Sequence, residues 1–360
     1  MAVTAKKRRL VVNGRFLGGP ETAVNAVARE LTAALAKVEG NWDVKVLVPP
    51  ALIGAGDGSA VEPYGTRDGI LWEQMDLPRA RRDAVVAGFF NTVPLRGQGY
   101  VTMLHDAHVF TTPESYGKAT GTWRRLLSRR AASPRNYILT VSQHSKDELL
   151  RLGLGTEDRM GVVPNGLGEV GRVRPDHAIL GRLGLGQGSY CIALANLLPH
   201  KNIPLLLKAF ADPALADLKL VLIGKAGAEA FAEAGYPPGE NVVFPGFVSD
   251  AELAALYSEA LAVCVPSTEE GFGLPALEGM AHGAPALVAD RGALPEVVGE
   301  AGVMLPANDP GAWVAAISGL ASAPGRRATL SEAGRARASI FTWENAAHAA
   351  LGHLDRWFPA

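Results

Sequence analysis

The chain has 360 residues, of which 48% are hydrophobic and 20% charged, and its formal net charge at pH 7 is −1. This length allows two domains of ordinary size with sizeable cores, and the near-neutral charge argues against a general nucleic-acid binder. The two cysteines, Cys191 and Cys264, fall within predicted buried strands, as is typical of small buried side chains in a reducing compartment.

The N-terminal region lacks the pattern of a targeting segment. Basic residues 6–9 are followed by only a short apolar stretch over residues 10–12, which is not the apolar region of a signal peptide. No apolar run reaches the ~18 residues of a membrane-spanning helix. We therefore expect a cytoplasmic protein.

The first 50 residues have the pattern of a β-loop-α-β unit, the opening of a doubly wound domain. A strand over residues 10–12 leads to a loop over 13–20, an apolar helical stripe over 21–38 and a second strand over 44–48. The loop contains Gly18 and Gly19, which let an acceptor or a phosphate lie close to the backbone, or simply form a tight turn. Residues 53–69 are predicted to be loop.

A strand over residues 100–104 ends in the cluster His105, Asp106 and His108. Ligands of open α/β sheets bind at the carboxyl ends of strands, so His105 is placed to touch a substrate. A metal site is the second interpretation, although no third ligand follows at a suitable spacing. A purely structural histidine is the third.

Residues 121–130 form a predicted amphipathic helix with many arginines. Trp123, Leu126 and Leu127 share one face, and Arg124, Arg125 and Arg129 lie elsewhere. Such a helix either rests on an anionic membrane or packs its apolar side against the core. After it comes a strand over residues 137–141, and Ser145 is the predicted cap of the next helix. A linker is predicted over residues 166–178.

The second half begins with a strand over residues 190–194, followed by a loop that contains Asn196 and Lys201. A lysine between a strand and a helix can neutralise a diphosphate, although a lone loop lysine is usually only solvated. Another strand, over residues 241–244, leads to Gly246 and Phe247. From the sequence alone, Phe247 can be interpreted as a core residue as readily as a binding residue.

The stretch over residues 267–280 follows a buried apolar run over 261–265 and precedes Pro275, which suits a first helical turn. Glycines in this loop let backbone N–H groups approach a phosphate at the positive end of a helix. Glu270 in the loop and Glu278 in the helix can each accept two hydrogen bonds from sugar hydroxyls. The alternative is an ordinary strand–helix turn with solvated glutamates.

The run from Glu270 to Glu278 and its continuation to residue 302 resemble the signature of retaining GT-B glycosyltransferases of family 4, E-x7-E inside EGFGLPxLE. The resemblance covers nearly the whole chain, and residues 71–78 and 104–106 favour its mannosyl- or rhamnosyltransferase-like members. It implies an α/β GT-B fold, with two Rossmann-like doubly wound domains facing a central cleft. An acceptor-binding domain is expected over residues 1–168, a sugar-nucleotide-binding domain over 178–340, and a helix crossing back to the first domain over 341–360.

The resemblance also implies roles for single residues. Lys201 matches the phosphate-binding lysine of the pattern P-x-K-N/G, and Asn196 stands where the family often has an arginine. Glu270 is expected on the hydroxyls of the transferred hexose, Glu278 on the ribose, and His105 near the anomeric centre. Further donor-site residues are Gly246, Phe247, Gly271, Phe272, Gly273 and Leu274, and the acceptor-side residues are Gly18 and Gly19.

The expected activity is retaining transfer of a hexose from a nucleoside-diphosphate sugar to a glycan or lipid-linked acceptor, in polysaccharide or glycoconjugate biosynthesis. No Asp-x-Asp occurs in the sequence, so we expect no metal and no cofactor besides the donor. Two alternatives stay open: a sugar-nucleotide epimerase of GT-B shape and a non-catalytic sugar-nucleotide-binding protein. Peripheral contact with the inner face of the membrane through residues 121–130 is a further expectation.

Overall fold

The computed structural model describes residues 7–54 and 61–359. The chain divides into two compact units, one formed by Met1–Gly166 with Thr342–Ala360 and the other by Leu167–Phe341. The division after Gly166 coincides with the start of the predicted linker at residues 166–178. Each unit is built on its own parallel sheet.

The first unit is a doubly wound α/β structure. Its described strands are β1 (Arg8–Asn13), β2 (Trp42–Val48), β3 (Val61–Pro63), β4 (Val85–Gly88), β5 (Tyr100–Met103), β6 (Tyr137–Thr140) and β7 (Met160–Val162). Its helices up to Gly166 are α1 (Ala23–Lys37), α2 (Gly69–Met75), α3 (His108–Thr111), α4 (Lys118–Ala131) and α5 (Gln143–Arg151). The strand order β3-β2-β1-β4-β5-β6-β7 reverses between β1 and β4. Every residue of β5 is buried, as expected of a parallel sheet covered on both faces.

Two local predictions in this unit are wrong. Part of the predicted loop over residues 53–69 is the strand β3, which pairs with β2 at the edge of the sheet; residues 55–60 lie outside the described part. Three residues ending in a proline are too short to show an alternating pattern. The cap of α5 is Ser142, whose Oγ accepts from the Ser145 N–H at 3.0 Å.

The second unit has the same doubly wound order. Its described strands are β8 (Tyr190–Leu194), β9 (Lys219–Ile223), β10 (Val242–Gly246), β11 (Ala262–Val265), β12 (Ala286–Ala289) and β13 (Gly302–Leu305). Its helices are α6 (Ala178–Leu183), α7 (Ile203–Phe210), α8 (Ala228–Glu233), α9 (Asp250–Glu259), α10 (Leu274–Ala281), α11 (Leu294–Val298), α12 (Pro310–Ala321) and α13 (Pro324–Ala338). The order β10-β9-β8-β11-β12-β13 reverses between β8 and β11. Cys191 and Cys264 are buried, unbridged residues of these two central strands.

The C-terminal helix α14 (Trp343–Trp357) belongs to the first unit. Thr342 caps it by accepting from the Asn345 N–H at 3.1 Å, as the sequence predicts. At its end, the Trp357 ring stacks on Tyr137 with centroids 4.9 Å apart. Gly161 has no room for a side chain, because a Cβ there would lie 2.6 Å from the His353 ring. None of the helices in the described part of the chain is both long enough and apolar enough to cross a bilayer.

Candidate functional site

The loops that follow β8 and β11 carry the sequence-predicted phosphate and hexose residues of the second unit. These strands are neighbours at the point where the strand order reverses. Ligands of open α/β sheets bind beyond the carboxyl ends of the strands at such a point. Lys201 follows β8 and Glu270 follows β11, so the topology brings together two residues that are 69 positions apart.

Glu270 is the centre of a compact polar cluster. It is 8% exposed, and its Oε1 accepts hydrogen bonds from Lys201 Nζ at 2.7 Å and from Ser267 Oγ at 2.9 Å. The lysine side chain keeps 26% of its surface exposed. The carboxylate is therefore held in place, while the ammonium group retains donors that can reach a ligand. The sequence predicts both residues but not their ion pair.

The loop before α11 packs against the backbone of Glu270 and holds it in place. The Ala293 N–H donates to the Glu270 carbonyl at 2.9 Å. Gly292 has φ +61, and a Cβ on it would lie 2.6 Å from the Glu270 nitrogen. Gly292 is thus required by close approach as well as by its conformation. The sequence gives no signal of this contact.

Asn202 holds three loops of the site together, which the sequence does not predict. Its backbone is left-handed, with φ 55 and ψ 29. Its Nδ2 donates to the Pro266 carbonyl at 2.9 Å and to the Ala307 carbonyl at 2.8 Å. The only available signal is the N/G alternative after the lysine in the family pattern, since both residue types tolerate this conformation.

We expect the Asn202→Gly variant to fold normally and to bind nucleoside diphosphates about three- to tenfold more weakly. Glycine keeps the left-handed backbone but loses both hydrogen bonds, each worth ~0.5–1.5 kcal/mol. Asn202→Asp should be worse, because a carboxylate oxygen would face two carbonyl oxygens. Calorimetric titration measures the affinities, with Asn308→Gly on the same surface as control. Equal affinities for Asn202→Gly, Asn202→Asp and wild type would contradict this role.

Glu278 lies on α10, which begins at Leu274 after the left-handed Gly273, with Pro275 in its first turn. This start confirms the predicted helix boundary. Although Glu278 keeps some exposed surface, burial of its carboxyl group, assisted by the negative charge of Asp250, raises its pKa to about 8. In the absence of a ligand the group is largely protonated at neutral pH, so hydroxyls that donate to it would favour its ionised form.

The remaining predicted donor residues differ in what they can offer. Phe247 is 91% exposed after the left-handed Gly246, so its interpretation as a core residue is wrong. Phe272 is 5% exposed and packs edge-to-face on Phe341 at 5.7 Å, which leaves its backbone rather than its ring available to a ligand. Asn196 accepts from the Leu198 N–H at 2.9 Å in a local turn.

His105 lies in the first unit, beyond the end of β5, and is 7% exposed. Its Nε2 is 2.9 Å from the Phe89 carbonyl, which can only accept, so Nε2 carries the proton and Nδ1 is an acceptor. Burial lowers its pKa, which favours the neutral ring. Its backbone N–H donates to Asn91 Oδ1 at 2.9 Å, and Asn91 has a left-handed φ of 59.

The other residues that the sequence suggests near the strand ends of this unit, Gly18, Gly19 and Asp106, make local structural contacts. A Cβ on Gly18 would lie 2.6 Å from Leu52, and one on Gly19 would lie 2.5 Å from Asn25 Nδ2. Asp106 accepts from the His108 N–H at 2.9 Å. Within residues 7–54 and 61–359, no group of three or more histidine, cysteine or acidic side chains is arranged to hold a metal ion.

Comparison with known proteins gives matches over most of the chain. The family model described as "Glycosyl transferases group 1" matches residues 185–337. The O-antigen chain mannosyltransferase B of Escherichia coli is 31% identical over 280 residues, which cover 74% of this chain and 73% of that protein. The D-inositol 3-phosphate glycosyltransferase of Segniliparus rotundus is 28% identical, over 70% of this chain and 60% of that protein.

A solved structure resembles the whole fold. The structure of Anabaena Alr3699/HepE in complex with UDP-glucose matches with a TM-score of 0.69 and 18% identity, covering 97% of this chain and 99% of that one. At this identity the likeness concerns the fold alone.

Proposed function

The chain belongs to the glycosyl transferases group 1 family, and on that premise we propose that it transfers a hexose, with retention, from a nucleoside-diphosphate sugar to a glycan or lipid-linked acceptor. The predicted GT-B fold and glycosyltransferase function are confirmed, and the epimerase and non-catalytic alternatives are not favoured. The observation that carries the finer proposal is the Lys201–Glu270–Ser267 cluster beyond β8 and β11.

Each group in the second unit has a proposed part in holding the donor. Lys201 and the backbone N–H groups of residues 271–274 stabilise the charge of the leaving diphosphate. Glu270 accepts from hexose hydroxyls and Glu278 from ribose hydroxyls. The exposed Phe247 lies in the segment proposed to border the base. The UDP-glucose complex of the Anabaena neighbour supports a nucleotide sugar as the donor class.

The proposed reaction forms a bond between the acceptor oxygen and the anomeric carbon on the face from which the diphosphate leaves. The bond between that carbon and the phosphate oxygen breaks, and the acceptor proton passes to the leaving phosphate. The resemblance to the family supports this course. His105 is proposed to contact the transferred sugar, where its neutral ring offers Nδ1 as an acceptor.

A thermal-shift panel of nucleoside diphosphates and their hexose derivatives tests the proposal. A ligand present at about 100 times its Kd stabilises the folded protein by ~2.7 kcal/mol. The nucleoside diphosphate with the preferred base should therefore raise the melting temperature several degrees more than the others. The selected sugar nucleotide is then incubated alone and with acceptor mixtures. Failure of every nucleotide to stabilise the protein would contradict the proposal, and conversion of the donor without an acceptor would favour an epimerase.

We expect transfer to continue in excess EDTA. Lys201 and the N–H groups of the loop supply positive charge at the diphosphate position, and the sequence has no Asp-x-Asp. Product formation is measured with EDTA, and then after adding magnesium or manganese. Activity that disappears with EDTA and returns with either metal would show that a divalent cation is needed.

A peripheral membrane surface is also proposed, on the first unit. Arg130 Nε donates to the Leu95 carbonyl at 2.7 Å, and the Leu95 N–H donates to Gln74 Oε1 at 2.7 Å, so α4 and α2 are linked. Large apolar side chains are exposed around this link: Ile70 51%, Leu71 64%, Met75 46%, Leu95 37% and Leu126 47%. Leu127, by contrast, is buried, so α4 also packs against the core.

The arginines of α4 supply positive charge on the same helix as Leu126. Arg124 lies over the Tyr116 ring at 5.3 Å and Arg129 over the Phe110 ring at 5.8 Å, and among the described residues no arginine of α4 pairs with a carboxylate. Two linked helices that carry both exposed apolar side chains and arginines without a carboxylate partner suit an anionic lipid surface.

We expect wild-type protein to sediment with vesicles of anionic phospholipid and not with neutral ones, because both the charge and the apolar area contribute. Leu71→Ser with Arg124→Gln should reduce binding at least about tenfold, at ~1 kcal/mol for each lost contribution. Met304→Ser in the second unit is the control, since Met304 is 49% exposed. Equal sedimentation with both vesicle types would rule this surface out.

A further inference from the structure

A buried carboxylate lies at the strand ends of the first unit. Glu73, on α2, is 1% exposed. Its Oε2 accepts from Asn13 Nδ2 at 3.0 Å and from Arg15 Nε at 2.8 Å. Its Oε1 accepts from Thr92 Oγ1 at 2.5 Å and from Gln74 Nε2 at 3.1 Å. All four donors converge on one ionisable group, so its position is closely defined.

This cluster stands where the strand order of the first unit reverses. Asn13 is the last residue of β1, and Thr92 follows β4, its neighbour across the reversal. The rule that places the donor loops at the reversal of the second unit places a ligand here as well. Buried ion pairs contribute little net stability compared with apolar packing. The ion pair at this position is better explained by a role for Glu73 in orienting a ligand-binding side chain.

The group that Glu73 orients is the guanidinium of Arg15. Its Nε donates to Glu73, and its Cζ lies over the Phe90 ring, 5.2 Å from the ring centroid. The side chain is 26% exposed. Among the described residues, nothing accepts a hydrogen bond from its two terminal nitrogens. The guanidinium is therefore held at Nε by Glu73 and on one face by the Phe90 ring, while the edge formed by its two terminal nitrogens can still donate to a ligand.

We propose that Arg15 binds an oxyanion, a phosphate or carboxylate group of the acceptor, and that Glu73 is its positioning residue. A guanidinium edge matches two oxygens of such a group with parallel charge-assisted hydrogen bonds, a geometry that an ammonium group cannot provide. Locking the arginine beforehand reduces the entropy lost on binding. The assignment to the acceptor rests on the proposed function, whereas the anion site rests on the geometry of the first unit alone.

The test follows the Arg15 Nε–H resonance of ¹⁵N-labelled full-length protein, assigned by its absence in Arg15→Lys. We expect a saturable shift on titration with inorganic phosphate, absent with sodium chloride at the same ionic strength. Pyrophosphate and acetate are titrated in parallel, to separate phosphate from carboxylate recognition. Arg15→Lys and Glu73→Gln should weaken phosphate binding, measured on neighbouring backbone amides, by about tenfold. Arg9→Gln is the control, because Arg9 lies on β1, the strand that precedes Arg15, and pairs with Glu62 at 3.3 Å.

No saturable shift with phosphate, pyrophosphate or acetate, or an equal shift with chloride, would overturn the proposal. If Glu73→Gln does not fold, Arg15→Lys decides, because Arg15 is partly exposed. Nucleoside diphosphate affinity should be unchanged in Arg15→Lys; a loss equal to the phosphate loss would assign the anion to the donor and overturn the acceptor role. If nucleotides raise the melting temperature but phosphate does not shift the Arg15 resonance, only the anion site is refuted. If phosphate shifts that resonance but no nucleotide binds, only the proposed transferase function is refuted.

Discussion

Replacing Glu278 by glutamine should raise the melting temperature at alkaline pH. In the folded protein the pKa of Glu278 is raised to about 8, whereas the unfolded chain titrates near the ordinary value of 4.5. At pH values between these two pKa values, the folded state holds more protons than the unfolded state, so the free energy of unfolding decreases as the pH rises. Above the folded-state pKa of about 8, the stability that the protonated group contributes is lost completely. Glutamine cannot ionise, so the variant escapes this loss.

The expected gain is several degrees at about pH 9 and little at about pH 5. A pKa difference of one is worth ~1.36 kcal/mol, and partial exposure reduces the full value, so we expect roughly 1–3 kcal/mol. Melting curves of the wild type, of Glu278→Gln and of the exposed control Glu233→Gln across this range decide the matter. Parallel pH profiles for all three proteins would contradict the assignment.

The same substitution should weaken nucleotide binding. A carboxylate accepts both ribose hydroxyls, whereas the amide offers one acceptor and a donor group. At ~1.5–3 kcal/mol for a hydrogen bond to a charged group, the loss is about 10- to 150-fold. In the wild type, affinity should rise towards about pH 8 as the carboxyl ionises. A variant that is more stable but binds less well indicates a side chain kept for its ligand.

The local features of the site could be predicted from the sequence. Pro275 marks the first turn of α10, and Thr342 the cap of α14, because both depend on residues within a few positions. Long apolar runs likewise predict the central strands. The edge strand β3 escapes prediction, because three residues form a strand only by pairing with β2.

The contacts across the sheet could not be predicted in this way. The Lys201–Glu270 pair joins residues 69 positions apart, and the Arg15–Glu73 pair joins residues 58 positions apart. The first forms because β8 and β11, distant in the chain, are neighbours where the strand order reverses. The second forms because α2, which lies before β4 in the chain, contacts the end of β1 at Asn13. A sequence pattern can name one side chain at each strand end, but the partner depends on the strand order of the whole sheet. The single contacts of Asn202 with Pro266 and Ala307 have the same origin.

Lys201→Ala should weaken binding of the bare diphosphate, whereas Glu270→Gln should leave it unchanged or strengthen it. Lys201 Nζ donates to Glu270 Oε1 at 2.7 Å, so the carboxylate offsets the positive charge offered to a diphosphate. Removing the lysine loses a charge-assisted hydrogen bond, which predicts about 10- to 150-fold weaker binding of both the nucleoside diphosphate and its sugar derivative. Removing the negative charge leaves the lysine free for phosphate, so Glu270→Gln should bind the bare diphosphate as tightly as wild type or more tightly.

The sugar nucleotide separates the two functions of this pair. Glu270→Gln should bind it about tenfold or more weakly, since the hexose hydroxyls lose a charged acceptor held by Lys201 and Ser267. Calorimetric titration of both ligands into both variants, the double variant and Ser267→Ala provides the measurements. In the double variant the two effects on the bare diphosphate should not be additive, because the residues are in contact. If Glu270→Gln weakens the bare diphosphate as much as the sugar nucleotide, with the fold intact, Glu270 holds the phosphate loop rather than the hexose. If Lys201→Ala binds the diphosphate as tightly as wild type, the diphosphate does not lie at the end of β8.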